Sequence, residues 1–118
     1  MTHVEIEIND RYIIIRMTGH AGYSEKGSDI VCSAISTLEY ILYGYVKSNP
    51  EVATMKRYET GTGYSYMHII PKKEGIYDVI KAAVIGFEGI ADSYPDYIDF
   101  KKIEKAGENK KNVGYNHI

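Results

Sequence analysis

The sequence predicts one α+β domain, a sandwich in which two helices pack on an antiparallel or mixed β-sheet. A length of 118 residues suits a single domain. Apolar residues follow the period of a strand or of a helix in the order β-β-α-β-β-α-β. Because short turns join most neighbouring strands, hairpins should build most of the sheet.

The first two predicted strands form a hairpin. Val4, Ile6 and Ile8 alternate with polar residues, which is typical of a strand with one buried face. Residues 12–17 are largely apolar and rich in isoleucine, and they predict the second strand. A turn signal at residues 9–10 joins the two strands.

The first helix is predicted from Asp29 to about Lys47, after a glycine-rich loop at residues 19–27. Either Ser28 or Asp29 can cap its first amides. The helix breaker at residues 49–50 ends it. Its apolar stripe comprises Val31, Ile35, Leu38, Leu42 and Tyr45. Val31, Leu38 and Tyr45 define the centre of this stripe.

Two further strands and a second helix follow. The strands are predicted at residues 52–58 and 64–70, and residues 59–63 have the composition of a hairpin loop. The second helix ends before Pro95. Its predicted apolar stripe comprises Ile76, Ile80, Ala83, Phe87 and Ile90.

One side of the second helix carries only small residues, Ala82, Gly86 and Gly89. Glycine inside a helix costs about 1 kcal/mol relative to alanine, so close approach of another element is the predicted reason for its presence. Alternation around Ile98 predicts a last strand. Residues 106–118 are predicted to form a polar, flexible tail.

Charge and composition argue against several classes of protein. The formal net charge is −2 and no basic face is evident, so direct binding of nucleic acid is not expected. A single cysteine cannot form an internal disulfide and fits a reducing compartment. No signal peptide and no apolar stretch of membrane-spanning length are evident, which predicts a cytoplasmic location.

Most histidines carry simple structural interpretations. His68 lies in a predicted strand and is expected to be structural, while His3 and His117 are expected to be exposed near the termini. No group of residues has metal-ligand spacing, and no phosphate-binding loop motif is present. We therefore expect no metal and no cofactor.

Cys32 lies about one turn into the first helix, where unpaired amides and the helix dipole favour a reactive thiolate. The helical period puts it about a quarter turn or more from the centre of the apolar stripe. Ser36, Glu39 and Tyr43 share that face. His20, in the preceding loop, could accept the proton of this sulfur and return it to a leaving amine.

Residues around this pair could support it. Gly19, Gly22 and Gly27 give the loop backbone freedom and room for a substrate chain. Asp29 could cap the helix, orient the histidine, or both, and Ser36 could donate a hydrogen bond near the sulfur. Each residue also has a simpler interpretation, because buried inert thiols, surface histidines, helix caps and turn glycines are common.

Residues 19–38, GHAGYSEKGSDIVCSAISTL, closely resemble the signature of the ribosomal-processing cysteine protease family, Prp. That signature is Gly-His-Ala, a short glycine-containing loop, then Gly-x-Asp-Ile-Val-Cys and a stretch of small residues. The matching positions are Gly19, His20, Ala21, Gly27, Asp29, Ile30, Val31, Cys32, Ala34 and Ser36. Residues 86–98, GFEGIADSYPDYI, resemble the family's ending, and the resemblance extends to about Ile103.

The resemblance implies a homodimeric cysteine endopeptidase with a Cys–His dyad, in a domain spanning residues 1–105. Cys32 would be the nucleophile and His20 the base. Asp29 and Ser36 would be supporting residues. Ala21 would lie with the loop glycines beside the entering substrate. The implied substrate is the N-terminal extension of large-subunit ribosomal protein twenty-seven, cut after an aromatic residue. The alternatives are a phage structural protein as substrate and a non-enzymatic interaction or ribosome-assembly module.

Overall fold

The computed structural model describes residues 1–25 and 29–105 of the chain. The elements are β1 (Thr2–Ile8), β2 (Ile13–Thr18), α1 (Ile30–Ser48), β3 (Ala53–Gly61), β4 (Tyr64–Pro71), α2 (Gly75–Ser93) and β5 (Ile98–Glu104). The predicted α+β class and order of elements are confirmed. Ser28, Gly27 and the predicted tail at 106–118 lie outside the described residues.

The five strands form one mixed sheet in the order β3-β4-β2-β1-β5. Three of its pairings are antiparallel: β1 with β2, β2 with β4, and β3 with β4. The exception is β5, which returns beside β1 and runs parallel to it, with Thr2 opposite Ile98 and Ile8 opposite Glu104. β1 therefore lies between β2 and β5, and β5 forms the edge of the sheet opposite β3.

The core lies between the two helices and one face of the sheet. Alternate residues of β1 and β2 point into it, and α2 contributes a complete apolar side. The core members from these three elements include Val4, Ile6, Ile8, Ile13, Ile15, Met17, Ile76, Ile80, Ala83, Val84 and Phe87. The opposite face of the sheet carries charged pairs, such as Arg16 with Glu5. This one-sided burial is what the period of two predicted for the first strands.

The prediction of a hairpin loop at residues 59–63 is wrong for residues 59–61, because β3 continues to Gly61. Glu59 pairs with Tyr66 in the ladder, and β3 is an edge strand, where polar side chains can reach solvent without disturbing the core. The turn between β3 and β4 is therefore tight. Gly63, which ends it, has a φ of +68°, a conformation that glycine adopts without strain.

The predicted centre of the α1 stripe is also wrong. The buried residues of α1 are Val31, Ile35, Leu42 and Val46, whereas Leu38 and Tyr45 are only partly buried. At 100° per residue, the buried stripe is centred about 50° closer to Cys32 than predicted. The reason is that Leu38 faces α2 instead of the sheet, since its methyl groups lie close to Gly86.

The close approach predicted for the small side of α2 is found at Gly86. A Cβ atom there would lie 3.0 Å from both terminal methyl groups of Leu38. The same prediction is wrong at Gly89, where nothing lies within 4 Å of an added Cβ. Ala82 is exposed and borders a cavity shared with Leu38 and Ile41 of α1. Of the two glycines on this side of α2, only Gly86, which faces α1, lies where a side chain would meet a neighbour.

Candidate active site

Asp29, one of the two predicted caps, is the N-cap of α1, and the helix begins at Ile30. Its Oδ1 accepts hydrogen bonds from the backbone N–H groups of Val31 and Cys32, both at 2.9 Å. The N–H of Ser33 bonds to the Asp29 carbonyl at 3.0 Å. The N–H groups of Val31 and Cys32 would otherwise have no partner in the first turn of the helix.

The second oxygen of Asp29 binds the loop that precedes the helix. Its Oδ2 accepts the backbone N–H of Tyr23 at 3.0 Å and that of Ser24 at 3.3 Å. Burial alone would raise the pKa of this carboxyl group, but the backbone hydrogen bonds and the Cys32 side chain outweigh burial and lower the pKa. A single carboxylate thus joins the loop to the start of α1.

Cys32 is half-buried, at the edge of the core. This position follows from the true centre of the apolar stripe, which lies nearer to Cys32 than the sequence pattern indicated. Ser36, one turn later, is also half-buried. Within residues 1–25 and 29–105, no hydrogen bond joins Ser36 to Cys32, and none joins Asp29 to His20.

His20 is exposed and follows β2 directly. Its ring lies over Gly63, because a Cβ atom added to Gly63 would be 2.8 Å from the His20 Nε2 atom. The preceding residue, Gly19, donates its N–H to the Gly63 carbonyl at 2.9 Å. The loop that carries the histidine is therefore fixed to the turn between β3 and β4.

Glu39 connects α1 to the same hairpin. The hydroxyl of Tyr58 in β3 donates to Glu39 Oε2 at 2.8 Å, and the hydroxyl of Ser65 in β4 donates to that oxygen at 3.1 Å. The Tyr43 ring, one turn after Glu39, lies 4.3 Å from the Tyr58 ring between centroids. The face of α1 that carries Cys32 therefore packs on the hairpin.

The direction of α1 brings Cys32 towards the end of the hairpin. Val46, late in α1, borders the same cavity as Met55, early in β3. Glu39, earlier in α1, meets Tyr58, later in β3, so the helix and the strand run antiparallel. From Glu39 to Cys32 is about 10 Å along the helix, and the hairpin turn is a similar distance beyond Tyr58. Cys32 and the turn under the histidine ring therefore share one end of the sheet.

Tyr23 is an anchor of the loop that sequence reasoning missed. Its ring packs edge-on against Tyr94 and Tyr97, with centroids 5.5 and 5.1 Å apart. Both partners belong to the segment 86–98, whose resemblance to the family had no assigned role. The two tyrosines of this segment, Tyr94 and Tyr97, were the signal in the sequence that could have indicated such a contact. This contact fixes the loop to the connection between α2 and β5.

The remaining predicted residues are more peripheral. Ala21 is buried, and Gly22 has a φ of +73° with open space around its Cα. His68 is half-buried against the edge of Tyr12, and burial followed by nearby cations lowers its pKa, which agrees with a structural role. His3 is exposed, as predicted, and lies 3.3 Å from an Asp99 carboxylate oxygen.

In residues 1–25 and 29–105, no group of three or more His, Cys, Asp or Glu side chains could hold a metal ion. None of the helices in those ranges has the length and apolar character needed to cross a membrane.

The family model for the cysteine protease Prp matches residues 1–99, most of the chain. The chain belongs to the Prp family. The ribosomal processing cysteine protease Prp of Mycoplasma genitalium is 26% identical over 95 residues, which cover 80% of this chain and 91% of that protein. The resemblance seen in the sequence is confirmed, and this Prp protein is a cysteine protease.

Solved structures share the fold of this Prp chain. A Streptococcus mutans protein superposes with a TM-score of 0.68 at 25% identity, over 89% of this chain and 96% of that one. The essential ribosomal processing protease Prp of S. aureus, in complex with a covalently linked product peptide, gives a TM-score of 0.64 at 23% identity. That match covers 86% of this chain and 99% of the S. aureus chain, and at this identity it shows the fold alone.

Proposed function

We propose that this Prp protein removes the N-terminal extension of large-subunit ribosomal protein twenty-seven, with Cys32 as nucleophile and His20 as base. The observation that carries the proposal is the half-buried Cys32 on the first turn of α1, in a chain whose residues 1–99 match the Prp model. The description of the M. genitalium relative as a ribosomal processing protease supports a ribosomal protein as substrate.

The proposed reaction is acyl transfer. His20 takes the proton of the Cys32 thiol, and the sulfur attacks the carbonyl carbon of the scissile peptide bond. The bond between carbon and nitrogen then breaks as His20 gives that proton to the leaving amine. Water then hydrolyses the thioester and regenerates the thiol. Ser36 and the loop residues Gly19, Ala21, Gly22 and Gly27 are assigned to support and substrate access.

The oxyanion formed in this reaction needs hydrogen-bond donors around the sulfur. In the structure, the backbone N–H groups of Val31 and Cys32 already donate to Asp29. While Asp29 holds them, these two groups are not available to an oxyanion. We therefore assign Asp29 to organising the helix and loop, and the oxyanion to other donors.

Cleavage of a synthetic peptide spanning an extended N-terminus of the ribosomal protein tests the proposal. The wild-type chain should release the extension after an aromatic residue, and Cys32→Ala should abolish release, because no nucleophile remains. His20→Ala should reduce it by at least about a hundredfold, as expected for loss of a general base. Undiminished cleavage by Cys32→Ala, or no cleavage by wild type, contradicts the assignment. A phage structural-protein peptide in parallel separates the two substrates.

A non-enzymatic module is the second candidate, favoured by the partly buried sulfur at the edge of the core. It predicts an inert thiol. Iodoacetamide labelling near neutral pH distinguishes the two candidates. Rapid labelling that slows in His20→Ala supports the peptidase, and slow labelling that is indifferent to His20→Ala supports the module.

Three further properties extend the proposal: the homodimer comes from the family resemblance, and the other two come from charge and composition. We propose that the chain forms a homodimer, works in the cytoplasm and binds no nucleic acid directly. Light scattering should report twice the chain mass of 13.4 kDa. A monomer mass at micromolar concentration contradicts the dimer. The net charge of −2 supports the absence of nucleic-acid binding, which a filter-binding measurement with ribosomal RNA checks.

A further inference from the structure

The His20 ring packs on Gly63 of the β3–β4 hairpin. We call this contact surface the seat of the ring, and only glycine can provide it. Gly63 lies directly under the ring, and an added Cβ would be 2.8 Å from Nε2, 3.2 Å from Cδ2 and 3.3 Å from Cε1. A side chain at residue 63 would therefore push the imidazole as a whole. The φ of +68° at Gly63 and the 2.9 Å hydrogen bond from Gly19 to its carbonyl fix the seat relative to β2.

The same hairpin is fixed to the helix that carries Cys32. Glu39 accepts hydroxyl hydrogen bonds from Tyr58 and Ser65 at 2.8 and 3.1 Å, so it joins both strands of the hairpin to α1. Ser65 is buried, with 4% of its surface exposed, so this contact is shielded from solvent. Hydrogen bonds to a charged acceptor are stronger and more directional than neutral ones.

We propose that the β3–β4 hairpin sets the position of His20 relative to Cys32, with Gly63 and Glu39 as positioning residues at its two attachments. The inference rests on the proposed Cys–His function. Gly63 acts on the ring of the base, and Glu39 acts on the hairpin that carries the seat. Neither residue takes part in the bond-making or proton-transfer steps.

Substitution of Gly63 tests the seat. Gly63→Ala should lower kcat/KM for the peptide by about a hundredfold, the typical effect of displacing a reacting group by about 1 Å. Gly63→Asn tolerates a positive φ better but adds the same Cβ, so it should lose as much. Gly61→Ala, in the same hairpin with nothing within 4 Å, is the control and should keep wild-type activity.

Substitution of Tyr58 tests the attachment to Glu39. Tyr58→Phe removes the 2.8 Å hydrogen bond and should lower kcat/KM about fivefold to tenfold, with KM unchanged. The matched control is Tyr64→Phe, which removes a 3.3 Å hydrogen bond to Glu59 elsewhere on the hairpin. It should have no effect.

Repeating each change in the His20→Ala background distinguishes positioning from a structural role. With the ring absent, Gly63→Ala and Tyr58→Phe should cause no further slowing of peptide cleavage or of Cys32 alkylation by iodoacetamide. Equal slowing in both backgrounds, or wild-type activity of Gly63→Ala, overturns the positioning role and leaves the proposed function intact. A wild-type chain that cleaves no peptide overturns the function itself.

Discussion

The Asp29 carboxylate and the Cys32 backbone N–H are joined by a 2.9 Å hydrogen bond at the start of α1. The other oxygen of the same carboxylate holds the amides of Tyr23 and Ser24. The loop of His20 and the helix of Cys32 are therefore not independent parts, because one side chain fixes both.

Replacing this carboxylate should destabilise the domain. Asp29→Ala removes the cap and should lower the free energy of unfolding by about 1 kcal/mol, measured by urea denaturation. Asp29→Asn keeps an oxygen that can cap and should lose less. Equal losses for the two variants would show that charge, and not capping, makes the contribution.

The lowered pKa of Asp29 gives a pH dependence of definite sign. A carboxyl group with a lower pKa in the folded state contributes stability above its unfolded value, near 3.8, and loses it as pH falls through the folded pKa. The free energy of unfolding should therefore fall on acidification below about pH 5. Asp29→Asn should show a shallower fall over pH 5 to 2. Parallel curves for the two proteins would contradict the assignment.

Gly19 and Gly22 provide a matched test of steric and conformational strain. Both have positive φ, but a Cβ at Gly19 would clash with the Met1 carbonyl oxygen, whereas nothing lies within 4 Å at Gly22. Gly22→Ala should cost about 1 kcal/mol from the backbone conformation alone. Gly19→Ala should cost clearly more. The two costs follow from thermal or urea unfolding, and a larger loss at Gly22 would contradict the described loop.

The two glycines inside α2 should respond in opposite ways to alanine. Gly89→Ala enters open space in a regular helix and should raise the free energy of unfolding by about 0.5–1 kcal/mol. Gly86→Ala meets the Leu38 methyl groups at 3.0 Å, so the steric cost should cancel or exceed that gain. A stabilising Gly86→Ala would show that Leu38 can move aside freely.

Tyr23 should matter to activity through its ring. Tyr23→Ala removes the edge contacts to Tyr94 and Tyr97, each worth about 0.5–1.5 kcal/mol in typical aromatic pairs. A less firmly held loop should lower kcat/KM for the peptide about tenfold. Tyr23→Phe keeps the ring and serves as the control. Unchanged activity of Tyr23→Ala would show that the contacts of Tyr23 with Tyr94 and Tyr97 do not contribute to catalysis.

Local sequence patterns predicted the order of the elements because the periods of strands and helices are properties of consecutive residues. They also predicted the position of Cys32 in the first turn of a helix, which depends on neighbours such as Asp29, but not how close it lies to the core. The seat of His20 on Gly63 and the contact of Tyr23 with Tyr94 join segments distant in the chain, and no local period encodes them. Packing of Leu38 against α2 likewise shifted the buried stripe of α1.

The parallel pairing of β1 with β5 has a consequence for synthesis of the protein. β1 cannot acquire its second neighbour until Glu104, at the end of β5, has emerged from the ribosome. Until then β1 remains an open edge, and nascent chains with unpaired strand edges are prone to associate. Completion of this sheet therefore has to wait for β5, and a chain truncated before Ile98 should associate more readily than one that carries β5.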